Sequence, residues 1–163
     1  MKQFILTFAL LLGSITIIFG QQRGMTFQEA ENVGIRISFL DSTFKSAVHV
    51  DTTKAVFKTQ KEQELMSKTY LKLLQDFGKH LNDNNFGWDK PTRCFNRIYF
   101  NSDGTIAYFL FNFLGKSPGE RPSNEQQEAF IKLLNEFIKN YKFDIKANEK
   151  FAQCSPTTYM PKK

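Results

Sequence analysis

The chain reads as an α+β protein: a two-layer fold with an antiparallel sheet built around one β-hairpin and two amphipathic helices on one face. Three observations predict it. Met66, Tyr70, Leu73, Leu74, Phe77 and Leu81 recur at helical spacing, as do Phe130, Leu133, Leu134, Phe137, Ile138 and Tyr141. Between these stripes, two strand-like runs, Cys94–Asn101 and Thr105–Phe113, flank Asp103-Gly104, a turn signal. Aromatic content is 15%, with 18 Phe, which is ample material for a buried core and argues against disorder.

The elements follow in chain order. Met1-Lys2 and the apolar run from Phe4 to Phe19 precede Gly20 and the polar Gln21-Gln22-Arg23-Gly24. A positive start, a hydrophobic stretch shorter than most membrane spans and a small residue form the layout of a secretory signal. The expected organisation is a signal peptide over residues 1–20 and one globular α+β domain over 21–163. The protein is then exported, periplasmic or secreted, and touches a membrane only if the signal segment stays uncleaved as an anchor.

Thr26-Phe27-Gln28-Glu29 is a T-x-x-E capping box and opens a short helix. Gly34–Leu40, apolar at 35, 37 and 39, reads as a strand, and a second strand is placed around Ala47–Val50. The first long helix runs from Gln60 to about Asn82, where Asn82-Asp83-Asn84-Asn85, Gly87 and Pro91 stop it.

A type I′ turn at Asp103-Gly104 sets the hairpin register. It pairs Phe100 with Ala107, Ile98 with Phe109, Asn96 with Phe111 and Cys94 with Phe113 on the face toward the helices. The other face carries Asn101 with Ile106, Tyr99 with Tyr108, Arg97 with Leu110 and Phe95 with Asn112. Residues 115–122 form a Pro/Gly loop. Ser123-Asn124-Glu125-Gln126 is a second capping box, opening a helix to about Tyr141. Phe143–Ala147 reads as a short strand, and the tail from Phe151 through Pro161 as irregular with an extended segment.

The motifs that mark enzymes are missing. Gly115-Lys116-Ser117 lacks the upstream glycine of a phosphate loop, and no G-x-S-x-G elbow occurs. His49 and His80 have no metal-ligand spacing, so neither a metal nor a cofactor is implied. The acidic residues of both helices fall on the faces opposite the apolar stripes. The net charge of +6 favours anionic surfaces such as an envelope polymer, and export argues against nucleic acid.

Two cysteines, Cys94 and Cys154, are compatible with one disulfide outside the cytoplasm; the other reading is a buried free thiol at Cys94. A bridge needs Cα atoms 4.4–6.8 Å apart. It would close about 60 residues and contribute about 4 kcal/mol by loop-closure entropy.

One surface has the composition of a binding site. On the second hairpin face Tyr99 and Tyr108 oppose each other among Arg97, Phe95 and Asn101, residue types that offer contact area with a polar handle. The alternative is that other parts of the chain cover this face. The implied function is non-enzymatic binding, to an envelope protein or an anionic surface polymer, through this aromatic face or through a sheet edge. The competing class is a small envelope or cell-wall-active hydrolase whose site is scattered in sequence.

From Glu64 onward, the order helix, hairpin, helix, strand resembles the C-terminal domain of TonB-type energy transducers. Phe100-Asn101-Ser102-Asp103-Gly104-Thr105-Ile106 is similar to that family's strand–Asp-Gly–strand signature. The chain departs from the family in lacking a Pro-rich linker and a Trp-x-Pro-like close after the second helix. The resemblance implies binding of short protein segments by strand addition at a sheet edge, and no catalysis.

Overall fold

A computed structural model describes residues 23–115 and 118–161. The segment expected to be a signal peptide, residues 1–20, lies outside the described residues. Among the described residues, four α-helices and a five-stranded sheet confirm the α+β class.

The sheet is mixed, which corrects the antiparallel expectation. Its order is β1 (Gly24–Thr26), β4 (Ile106–Phe113), β3 (Thr92–Phe100), β5 (Phe151–Tyr159), β2 (Lys45–Ser46). The three long inner strands are antiparallel, while β1 runs parallel to β4 and β2 parallel to β5. Both parallel partners are short edge strands from the N-terminal region. They are reached through long connections that no hairpin turn announces.

Helix α4 (Asn124–Asn140) begins at the capping box read from the sequence, and α3 (Gln60–Asp83) begins at a further box, Thr59 to Glu62, that the sequence reading did not name. Thr59 Oγ1 accepts from Glu62 N–H and Ser123 Oγ from Gln126 N–H. Their stripes pack over one sheet face, where Phe77, Phe109, Phe111, Phe130 and Phe100 are fully buried. Asn135 of α4 clamps the start of β1, accepting from the Arg23 and Gly24 N–H groups and donating to Gly24 O at 2.8–3.0 Å. A Cβ on Gly24 would lie 2.6 Å from Leu134 Cγ, so only glycine lets the helix come this close.

Residues 34–40 are not a strand. Helix α1 (Phe27–Asn32) ends in a Schellman arrangement: Gly34, at φ +83°, donates to Glu31 O while Ile35 N–H bonds Ala30 O. Helix α2 (Ile37–Thr43) follows. The alternation at 35, 37 and 39 suggested β structure, but the spacing of Ile37, Leu40 and Phe44 is the one that buries surface. Leu40 and Phe44 are in the core, and Phe39 is 66% exposed. Helices α1 and α2 cover the second sheet face, forming a smaller core of Met25, Ala30, Leu40, Phe44, Tyr99 and Leu110.

The segment expected as a strand at Ala47–Val50 carries β2 just ahead of it, at Lys45–Ser46. The strand expected at Phe143–Ala147 is reduced to a single bridge, Lys142 to Thr105. The tail, in contrast, forms the nine-residue β5 beside β3.

The hairpin turn is also not type I′. Asp103 keeps a negative φ, since Asn85 is the only described non-glycine residue with φ above zero, and Gly104 sits at +89°. Ser102-Asp103-Gly104 is a three-residue loop, closed by Gly104 N–H to Asn101 O and Asn101 N–H to Thr105 O. The extra residue is absorbed at Ala107. Phe100 therefore pairs with Ile106, whereas the expected pairs from Tyr99/Tyr108 to Cys94/Phe113 hold. Ile106 enters the main core and Ala107 turns to the smaller one.

Candidate functional site

The aromatic face read from the sequence is occupied by the protein itself. Tyr99 is fully buried, edge-on to Phe44 at 5.2 Å, and its hydroxyl donates to Asp41 Oδ1 at 3.0 Å. Arg97 pairs with the same carboxylate at 2.7 Å, so Asp41 fastens α2 to the sheet. Burial and the acceptor carboxylate both push the Tyr99 phenol up from its ordinary value. Phe95 stacks on Phe27 of α1, Tyr108 is half-buried beside Tyr99, and Asn101 is held at the turn by Thr105 Oγ1. Phe95, Arg97, Tyr99 and Tyr108 lie on one face, as expected, but helices α1 and α2 pack against it, while Asn101 stays at the turn. The polar groups of Tyr99, Arg97 and Asn101 serve internal contacts.

The two cysteines are free, correcting the disulfide expectation. The register sets Cys94 opposite Thr157 and Cys154 opposite Arg97, an offset of three residues, or about 10 Å along a strand. They also point to opposite faces. Cys94 is buried under the helices, where desolvation pushes its thiol up, the reverse of an activated nucleophile. Cys154 is exposed. Among the described residues no group of three His, Cys, Asp or Glu side chains is placed to hold a metal ion, and no helix is long and apolar enough to cross a membrane.

The feature that remains open is the outer edge of β5. Strand β2 pairs only with Phe151 and Ala152. Beyond them, among the described residues, no backbone hydrogen bond reaches β5 from outside. The direction of its main chain follows from the covered part: Lys45 N–H donates to Lys150 O and Ala47 N–H to Ala152 O. Strand period two then sends the polar main-chain groups of Cys154, Pro156 and Thr158 outward, while residues 153, 155, 157 and 159 bond to β3. All three outward residues are exposed. Gln153 Nε2 donates to Cys154 O at 3.2 Å.

Beside this edge runs a groove of about 650 Å³, walled by α3 on one side and the end of β5 on the other. Leu71, Leu74, Leu81, Trp88 and Met160 make it largely apolar, and Gly78 leaves room along the helix. Leu71 is 56% and Met160 66% exposed.

Comparison with family models, with curated proteins and with solved structures finds no match. The site is therefore defined by its geometry. The sequence reading named a sheet edge without saying which. Polar residues on both sides of β5 concealed the strand, and the one available signal was the β-prone run Thr157-Thr158-Tyr159.

Proposed function

We propose that this chain is an exported, non-enzymatic binding module that receives an extended segment of another protein along the outer edge of β5. The observation that carries the reading is the juxtaposition of exposed, outward main-chain groups at Cys154, Pro156 and Thr158, which no other described strand pairs, with an apolar groove under α3. An incoming strand satisfies its own backbone on that edge, and its alternate side chains enter the groove beside Leu71 and Met160. An extended peptide uses both features at once. The resemblance to TonB-type C-terminal domains, carried by the helix, hairpin, helix, strand order, supports the same mode. The secretory-signal layout of residues 1–20 supports a partner in the envelope or outside the cell.

Panning of phage-displayed random dodecapeptides on the folded protein tests the reading. Selected peptides are expected to have alternating apolar residues and to slow amide exchange at Cys154 and Thr158. Thr158→Pro, which removes an outward N–H, is expected to weaken them about tenfold. Peptides that protect neither amide, or that bind Thr158→Pro equally well, overturn it.

A further inference from the structure

Resting on that reading, we infer that Pro156 makes the β5 edge selective for a foreign strand over a second copy of this chain. An exposed edge is a template for pairing with any strand, including its own duplicate. Proline lacks the N–H that an edge residue contributes, and Pro156 stands in the middle of the outward set. The arithmetic of register then separates the two partners. A foreign strand without proline meets Pro156 once and forgoes one hydrogen bond.

Two copies of β5 pairing antiparallel meet proline twice in every register open to them. In the register centred on Pro156, the two prolines face each other between Cys154–Thr158 pairs, and both central bonds are missing. Shifting one pair toward the C-terminus sets each Pro156 opposite Thr158 and again loses two. Shifting toward the N-terminus drives the second copy onto Ala152, whose carbonyl already accepts from Ala47 N–H at 2.9 Å. Self-pairing is therefore penalised twice wherever foreign pairing is penalised once. Pro156 costs the fold nothing on its inner side, because its main chain is not one of those facing β3.

The test is self-association of the domain, residues 21–163, as wild type, Pro156→Thr and Pro156→Ala. Sedimentation equilibrium reads the association constant, and thermal melts establish that each variant is folded. Restoring the N–H returns two bonds per dimer, so both variants are expected to associate about 100-fold more tightly than wild type. A nitroxide on the exposed Cys154, with Cys94 buried and unlabelled, locates the interface. In the centred register the two labelled positions are four residues apart, ~13 Å along the strand. Dipolar distances below about 20 Å in the variants are expected.

Folded variants that associate no more tightly than wild type overturn the inference, as does tight association without the short distance. Wild-type protein that already dimerises through β5 overturns it as well. Peptide selection on wild type is scored separately. Its failure removes the strand-acceptor reading and leaves the self-association result standing.

Discussion

Tyr99 shows how one residue's environment sets its role. It has the composition of a binding residue, yet its ring is enclosed by Phe44 and its hydroxyl is spent on Asp41. Tyr99→Ala is expected to destabilise the domain by about 3–5 kcal/mol, as truncation of a buried large aromatic does. Tyr99→Phe removes only the hydrogen bond and is expected to cost about 1 kcal/mol, since Arg97 still satisfies Asp41. Urea denaturation of both variants checks the pair, and equal stability of Tyr99→Ala and wild type would show that α1 and α2 do not seal this face. Asp103 makes a second prediction. Its carboxylate accepts from Thr105 N–H at 3.0 Å and Thr105 Oγ1 at 2.7 Å, bonds that lower its folded pKa. A lowered folded pKa means the contribution is full above the ordinary carboxyl range near ~4 and is lost as pH falls through the folded value. The Thr105 amide resonance should follow this acid transition in wild type, while Asp103→Asn, with an oxygen that does not titrate, should abolish it.

At the scale of elements, the capping boxes carry local information that survives folding unchanged. Thr59 and Ser123 each accept from the backbone three residues on, and each donates its own backbone N–H to the Glu62 or Gln126 side-chain oxygen in return. Thr59→Ala is expected to lower stability by about 1 kcal/mol, with Thr59→Ser nearly neutral, as measured by thermal or chemical melts. A loss no larger for Ala than for Ser would show that tertiary packing alone holds the start of α3. The hairpin behaves differently. Its strands and most of its register follow from alternation, but the turn is decided by what packs against it. Gly104 O accepts from Phe143 N–H at 2.9 Å, and Ala147 N–H reaches Ser102 O at 3.0 Å, so the segment after α4 grips the tip. A Cβ at Gly104 would lie 2.5 Å from Phe143 O. Three loop residues with one left-handed glycine fit this docking, and Ala107 takes up the slack as a bulge.

For the whole molecule, β5 is the strand on which the architecture depends. It pairs along its full length with β3, contributes Phe151 and Tyr159 to the main core and Ala152 to the smaller one, and carries the open edge. Deleting residues 151–161 is expected to abolish cooperative unfolding, because β3 would then expose an unpaired hydrophobic edge. Near-UV circular dichroism and a calorimetric scan check this. A truncated chain that melts cooperatively would mean that β5 is an accessory strand.

The sequence alone determined the two long helices, the cap of α4, the hairpin strands, and the face that meets the helices. Each rests on contacts within a few residues, and periodicity records those directly. It did not determine the strand character of β5, because its core-facing residues include Ser155 and Thr157. They are polar and tolerated there because Tyr70 and Asn96, distant in the chain, pair with them at 3.1 and 2.9 Å. Nor did it determine that residues 37–43 coil: the alternation at 35, 37 and 39 suits a strand until Tyr99 and Leu110 offer a surface that Leu40 and Phe44 fill as a helix. The aromatic face and the open edge were exchanged for the same reason. Composition reports what a residue is able to bind. Only the packing of distant segments decides whether that capacity is spent inside the protein, as at Tyr99, or left at the surface, as along Cys154, Pro156 and Thr158.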